Sequence, residues 1–198
     1  MNFHKIGTTK IPSEITNSVF FTTLYKFESG NRYYAMRGKR INKKETFVRV
    51  NSRCVQGHIF GSKRCDCRRQ FYETLRFVLK NNGLFIYAFD QDGRGIGLEK
   101  QMESYMLGDK GIDSHDALLK LGFRAEEREY SEVGDIIKDF NIKNIMLVTN
   151  NPHKVKEISK VGIPVKMYQF KCTLKRNKHN RLECEAKLKL GHVETKNG

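Results

Sequence analysis

Leu84-Phe-Ile-Tyr-Ala-Phe89 runs directly into Asp90-Gln-Asp-Gly-Arg-Gly-Ile-Gly97. A short apolar run of this kind is typical of a strand that is buried on both faces. The glycines after it allow the backbone to approach a phosphate closely, and the apolar spacing of residues 98–106 then predicts an amphipathic helix. A buried strand, a glycine-rich loop and a helix in this order indicate an α/β layer.

The neighbouring segments extend this alternation of helices and strands. Apolar periodicity and turn residues predict helices over Gln70 to Lys80, from Ser114 or Asp113 to Leu121 and from Ser131 through Phe140, with strands at Ile145 to Val148 and Ile163 to Tyr168. The first fifty residues instead favour strands, at Val19 to Phe27, Arg32 to Met36 and Phe47 to Val50. We therefore predict a single domain of class α/β (α+β), β-rich in its N-terminal part and mixed α/β in its C-terminal part. Residues 1–170 are its main body and residues 171–198 a basic C-terminal arm.

Composition is typical of a cytoplasmic globular protein. The chain has 198 residues, of which 38% are hydrophobic, and this is enough to bury a core. No apolar run is long enough to span a bilayer, and no apolar leader follows Met1, so we predict no membrane partner. Five cysteines, an odd number, favour a reducing compartment over a disulfide framework.

The net charge of +15 calls for an anionic partner or another explanation. Nucleic acid, an anionic membrane surface and a polyphosphate substrate are the candidates. Basic residues are spread along the whole chain and are enriched near its end, at Lys171, Lys175, Arg176, Lys178, Arg181, Lys187, Lys189 and Lys196. Charge alone does not favour specific nucleic-acid binding, because solubility would produce the same number.

Three cysteines lie close together in Cys54-Val-Gln-Gly-His-Ile-Phe-Gly-Ser-Lys-Arg-Cys65-Asp-Cys67. Three thiolates with an open fourth position describe a catalytic zinc ion, whose bound water becomes a hydroxide source near neutral pH. The alternatives are a four-ligand structural site completed by His58, Cys172 or Cys184, or buried apolar thiols. Disulfides fit least well, because Cys-X-Cys is a poor geometry for a bridge to its own neighbour.

Three further loops carry candidate chemistry, each with a simpler alternative. Arg94 offers a bidentate fork for phosphate, and the Asp92 carboxylate matches the N1 and N2 edge of guanine, although an ordinary glycine turn is the alternative. Thr149-Asn-Asn-Pro-His-Lys154 follows a buried strand, where α/β sheets bind ligands; the alternative is a proline turn with a surface lysine. Glu126-Glu-Arg-Glu-Tyr130 places a cation among carboxylates, or is a solvated run of charges.

Taken in order, these motifs resemble the GTP cyclohydrolase II family nearly from end to end. The residues that carry the resemblance are Arg49-Val-Asn-Ser-Arg-Cys54, Gly57-His-Ile-Phe-Gly-Ser-Lys-Arg-Cys65-Asp-Cys67-Arg-Arg-Gln70, Asp92 to Leu98, Tyr105 and Asp109, Leu121-Gly122 with Glu126 to Tyr130, Leu147 to Lys154, and Lys189 to His192. The resemblance implies a GTP cyclohydrolase II-like domain that hydrolyses GTP. Its reaction opens the imidazole ring at C8 and releases formate and pyrophosphate. The product is 2,5-diamino-6-(5-phosphoribosylamino)pyrimidin-4-one, in the first step of riboflavin biosynthesis.

The resemblance also implies cofactors, partners and site residues. It implies one Zn²⁺ per subunit held by Cys54, Cys65 and Cys67, Mg²⁺ with the triphosphate, and a homodimer. By position, Arg128 is the residue that attacks the α-phosphorus, Glu126 is the proton acceptor, and Tyr105 assists ring opening. The substrate-binding residues would be Arg49, Val50, Asn51, Ser52, Arg53, Gln70, Asp92, Gly93, Arg94, Ser114, Thr149 and Lys154.

Several positions depart from the family pattern: Asn51 stands for His, Arg53 for Glu, His58 for Asp, Arg68 for Gly, Asp92 for Glu, Ser114 for Thr and Glu126 for Asp. The reversal of charge at Arg53, beside the metal ligands, is the largest change. Two alternative functions therefore stand beside GTP hydrolysis. One is a diverged homologue that acts on a different purine nucleotide or stops at another product in specialised metabolism. The other is a non-catalytic, zinc-stabilised nucleic-acid-binding module.

Overall fold

The computed structural model describes residues 2–171 and 177–192. Seven strands form in this part of the chain: β1 (Phe3–Ser13), β2 (Ser18–Phe27), β3 (Arg32–Arg37), β4 (Thr46–Ser52), β5 (Leu84–Ala88), β6 (Ile145–Val148) and β7 (Val165–Tyr168). The helices are α1 (Val55–His58), α2 (Cys67–Lys80), α3 (Gly97–Asp109), α4 (Ser114–Lys120), α5 (Ser131–Asp139), α6 (Pro152–Ser159) and α7 (Arg181–Lys189), and a 3₁₀ turn spans Asp92–Gly95.

All seven strands belong to one sheet, in the order β1-β2-β3-β5-β4-β6-β7. The pairs β1–β2, β2–β3 and β3–β5 are antiparallel. The pairs β5–β4, β4–β6 and β6–β7 are parallel. The first part of the chain is therefore a meander, and the second part supplies the parallel crossovers. This confirms the predicted class, with a β-rich N-terminal part and a mixed α/β C-terminal part.

The sheet is covered on both faces, as the apolar run of β5 predicts. Leu84, Ile86 and Ala88 point to the face where α5 and α6 pack, and Phe85 points to the opposite face with Leu75 of α2. Leu84, Phe85, Ile86 and Ala88 are all fully buried. A central strand with helices on both sides thus holds the loops at its carboxyl end in fixed positions.

Three elements were not predicted from the sequence. Strand β1 pairs with β2 along its length but is exposed on both faces, so it carries no apolar alternation. Helix α1 is a single turn inside the cysteine loop, and α7 lies in the segment predicted as a basic arm. In α7 only Cys184 and Ala186 are buried, which leaves a polar sequence with little periodicity.

The described helices are all too short or too polar to cross a bilayer. Lys175, Arg176 and Lys196 of the predicted arm lie outside the described residues. The boundary at residue 170 remains a prediction.

Candidate active site

One large cavity lies at the carboxyl edge of the parallel strands. β4, β5 and β6 are adjacent and parallel, so the loops that follow them emerge side by side, the usual place for ligands in such sheets. The cavity has a volume of about 1090 Å³, which is large enough for a nucleoside triphosphate. It is lined by fifteen of the eighteen predicted site residues: Arg49, Asn51, Ser52, Arg53, Cys54, Cys65, Cys67, Gln70, Gly93, Arg94, Tyr105, Ser114, Arg128, Thr149 and Lys154.

The three predicted site residues that do not line the cavity contact residues that do. The backbone carbonyl of Val50 accepts a hydrogen bond from Lys154 Nζ at 3.0 Å. Asp92 pairs with Arg53, and Glu126 pairs with Arg128. The fold therefore gathers residues from four separate loops into one place, as the motifs predict.

The three thiols of the cysteine motif form one cluster at the cavity wall. Cys54 precedes α1, and Cys67 is the first residue of α2. The Sγ atoms of Cys54, Cys65 and Cys67 all lie within 4.8 Å of one another, and those of Cys54 and Cys65 are 3.9 Å apart. This spacing fits a single metal ion bound by three sulfur ligands.

A fourth protein ligand is not present among the described residues, where the cluster contains only the three cysteines. His58 Nδ1 accepts a hydrogen bond from the Cys54 backbone N–H at 3.3 Å and lies 2.9 Å from Tyr87 Oη. Cys184 lies in α7, where its Sγ is 3.8 Å from Asn180 Oδ1. Cys172 lies outside the described residues. The donor set present therefore fits an ion with one open position facing the cavity.

Electrostatics within the cluster also favour a cation. Hydrogen bonds from Cys54 and Cys67 lower the pKa of Cys65, and the same contacts raise the pKa of the other two thiols. The three sulfurs therefore differ in how readily they lose a proton. A divalent cation would displace the remaining protons, as thiolate ligation requires.

Gly57 makes room for this cluster. A methyl group added at Gly57 would lie 2.9 Å from Cys65 Sγ and 3.2 Å from Cys54 Sγ. We expect Gly57→Ala to push the thiols apart and to weaken zinc binding about tenfold or more, measured by competition with a chelator. The control is Gly108→Ala in α3, where the nearest atom is 3.8 Å away, at Arg64 Nη1. Equal zinc affinity in the two variants would contradict the assignment of Gly57.

Three basic side chains, those of Arg49, Arg128 and Lys154, line the same cavity. Arg49 Nη1 donates to the Val148 carbonyl at 3.0 Å, and Lys154 is only 5% exposed. Burial, with the positive charges of Arg128 and Arg49, holds the pKa of Lys154 well below its usual range. Concentrated positive charge at strand ends favours binding of an anion, and a triphosphate would restore the charge on Lys154.

Arg128 and Glu126 form a largely buried, bidentate ion pair. Arg128 Nε donates to Glu126 Oε1 at 2.6 Å, and Nη2 donates to Oε2. Burial opposes ionisation of Glu126, but the adjacent Arg128 outweighs it and lowers the pKa of the carboxyl group. Burial also opposes the charge of Arg128, but Tyr130 and Glu126 outweigh it and raise the pKa of Arg128, so both groups of the resting pair are ionised. The carboxylate is in direct contact with the guanidinium N–H groups. By contrast, Arg124, which lies two residues before this charge run, pairs with Glu127 at the surface.

The glycine-rich loop adopts a left-handed backbone. Gly93 and Arg94 have φ values of 58° and 62°, the region that glycine tolerates best. The turn directs Arg94 toward α4, where Nη2 donates to Ser114 Oγ at 2.9 Å. Arg94 Nη2 also lies 3.4 Å from both carboxylate oxygens of Glu183 in α7.

Arg53 faces Asp92 rather than open solvent. Its Nε donates to Asp92 Oδ2, while Oδ1 of the same carboxylate accepts from the backbone N–H of Val55 at 3.3 Å. Asp92 is 1% exposed, so both of its oxygens are engaged within the protein. The pair ties the glycine-rich loop to the start of α1, next to Cys54.

Tyr105 lines the cavity from α3. Burial and the nearby charges of the cysteine cluster raise the pKa of its hydroxyl. The phenol is therefore protonated at neutral pH and offers a hydrogen-bond donor to a ligand.

Several cavity residues were missed by sequence reasoning. Glu183, Lys187, Leu188 and His192 reach the cavity from α7 and its C-terminal end. Only the Lys189 to His192 motif indicated that this segment belongs with the rest. Gln91 was also missed: its Oε1 accepts from Ser52 Oγ at 2.8 Å.

Comparison with known proteins finds similar sequences over most of this chain. The family profile described as GTP cyclohydrolase II matches residues 4–169. The GTP cyclohydrolase-2 of Campylobacter hominis is 36% identical over 188 residues, which cover 92% of this chain and 95% of that protein. That of Picrophilus torridus is 40% identical over 70% of this chain and 72% of its own length. The riboflavin biosynthesis protein RibBA of Chlamydia trachomatis is 34% identical over 81% of this chain and 38% of its own length.

Proposed function

Because this chain belongs to the GTP cyclohydrolase II family, as the motifs predicted, we propose that it opens the imidazole ring of GTP by hydrolysis. Formate and pyrophosphate would leave, giving 2,5-diamino-6-(5-phosphoribosylamino)pyrimidin-4-one for riboflavin biosynthesis. One zinc ion per subunit, magnesium with the triphosphate, a homodimer and a cytoplasmic location belong to the same proposal. The proposal includes no nucleic-acid partner.

The observation that carries the proposal is the content of a single cavity. A cluster of three thiols lines it together with the basic side chains of Arg49, Arg128 and Lys154. The thiols suit a metal ion that acts on the purine base, and the basic side chains suit the phosphates of a nucleotide. The pair of Arg128 and Glu126 beside this cavity supports a catalytic role over that of a zinc-stabilised binding module.

The residues divide the chemistry between the two ends of the substrate. Zinc bound by the three cysteines would supply Lewis-acid activation of a water molecule for attack at C8. Tyr105, protonated and beside the cluster, would donate a proton as the ring opens. At the other end, Arg49 and Lys154 would hold the phosphates. Glu126 would accept a proton from Arg128 as a guanidinium nitrogen bonds to the α-phosphorus and the bond to pyrophosphate breaks, and water would later cleave the new N–P bond and restore Arg128.

The Arg53–Asp92 pair favours one alternative, a diverged homologue with another purine substrate. Reading the guanine edge through Asp92 would require its carboxylate to face the ligand. Arg53 and the Val55 N–H hold both of its oxygens instead. Base recognition by this chain would then differ from the family pattern, which has glutamate at both positions.

A substrate panel tests the proposal. Zinc-loaded protein with magnesium is given GTP, dGTP, GDP, GMP, ATP and ITP, and formate, pyrophosphate and nucleotide mass are measured. We expect formate and pyrophosphate from GTP. Turnover of another nucleotide in preference to GTP would support the diverged homologue. No turnover by protein that binds zinc and nucleotide would refute the proposed hydrolysis.

A further inference from the structure

Asp66, the residue between two of the cysteine ligands, does not do what its position predicts. It is the N-cap of α2, where an aspartate normally accepts a hydrogen bond from a backbone N–H of the first turn. The Asp66 side chain makes no such bond. Instead Oδ1 accepts from Lys187 Nζ at 2.5 Å, and Oδ2 accepts from Gln70 Nε2 at 2.6 Å.

The partner of Asp66 comes from the far end of the chain. Lys187 lies in α7, 121 residues away, and the Lys187 and Asp66 side chains are only 19% and 10% exposed. A buried pair of this kind holds both side chains in place, because a shift of either group leaves a charge without a partner in a poorly solvated site.

The contacts continue from Asp66 into the sheet. Gln70 Oε1 accepts from Arg49 Nη2 at 3.2 Å, and Arg49 Nη1 donates to the Val148 carbonyl at 3.0 Å. The Asp66 carboxylate is thus held on one side by α7 and on the other by a chain of bonds anchored in β4 and β6. Since Cys65 and Cys67 are its neighbours in sequence, fixing Asp66 constrains the backbone positions from which both thiols project.

We propose that Lys187 is a positioning residue for the metal site. By holding the Asp66 carboxylate, it sets the directions in which Cys65 and Cys67 present their sulfur atoms. The inference rests on the zinc ion of the proposed function. Partners that orient metal ligands in this way typically contribute a factor of about 10 to 100 in metal affinity.

The test compares two lysines of the same helix. Lys187→Met should lower zinc affinity about 10- to 100-fold in chelator competition, and should weaken the sulfur-to-metal charge-transfer absorption of the cobalt-substituted protein. Lys187→Arg keeps a charged donor and should recover most of the affinity. Lys189→Met is the matched control, because Lys189 Nζ pairs with Asp113 and Asp116 at 2.5 Å and 2.8 Å, away from the cysteines. If the lysines merely dock α7, both methionine variants would change zinc affinity equally, and the inference would be overturned.

Two outcomes must be separated from each other. If the parent protein binds no zinc, the proposed function fails at its metal. If the parent binds zinc and Lys187→Met binds it equally well with an unchanged cobalt spectrum, only the positioning role fails. Should Lys187→Met not fold, the double variant Asp66→Asn/Lys187→Met removes the unpaired buried carboxylate. That variant should fold and bind zinc more weakly than the parent, and parental affinity in it would overturn the inference.

Discussion

Cys65→Ser is expected to abolish formate release from GTP, with a loss of at least about 1000-fold in turnover. Contacts with Cys54 and Cys67 lower the pKa of Cys65, so its thiol ionises more readily than an isolated one. A serine hydroxyl does not ionise near neutral pH and is a poor zinc ligand, so we also expect zinc affinity to fall by more than about 100-fold. Zinc content by atomic absorption and formate release would be measured on the same preparation.

Cys184→Ser provides the control for this experiment. Cys184 is a buried thiol that lines the same cavity but lies outside the cluster of three. We expect Cys184→Ser to retain zinc and formate release. A Cys65→Ser protein that kept both its zinc and its turnover would remove the catalytic-metal assignment.

Arg128→Lys is expected to reduce pyrophosphate release by about 100-fold or more while leaving zinc bound. A lysine keeps the charge but cannot reproduce the planar fork that engages both oxygens of Glu126. Its ammonium would also lie closer to the backbone, and a displacement of about 1 Å in a reacting group can cost a factor of about 100 in rate. Pyrophosphate release in single-turnover experiments is the direct measurement.

The matched control is another arginine, four residues before Arg128. Arg124 pairs with Glu127 on the surface, with 73% of the Arg124 side chain exposed. Arg124→Lys should therefore leave turnover unchanged, since exposed pairs contribute little. Pyrophosphate release at the parental rate in Arg128→Lys would show that Arg128 binds phosphate without reacting.

The sequence predicted the inner part of the molecule well. β5 was identifiable because both of its faces are buried, and α2 and α5 because each presents a regular apolar stripe to the sheet. The cysteine cluster was also predicted, since three ligands within fourteen residues need only a short loop to meet. These features depend on local spacing, which is visible in a single sequence.

Other features depend on distant partners and were not visible. Nothing in the residues around Arg53 indicates that Asp92, 39 positions further on, receives its side chain. The pairing of Lys187 with Asp66 could not be predicted for the same reason, because the sequence of a polar helix does not indicate which element it packs against. Strand β1 was missed because backbone pairing with β2 forms it, and Phe3 at its start is the residue of this strand that packs against the core.

Helix α7 contributes to the cavity without contributing to either hydrophobic core of the sheet. It also lies beyond residue 169, where the match to the family profile ends. The stretch that folds the protein and the stretch that closes part of its binding site are therefore separate in the sequence. A substitution in α7 is therefore expected to change the lining of the cavity while leaving both hydrophobic cores of the sheet packed.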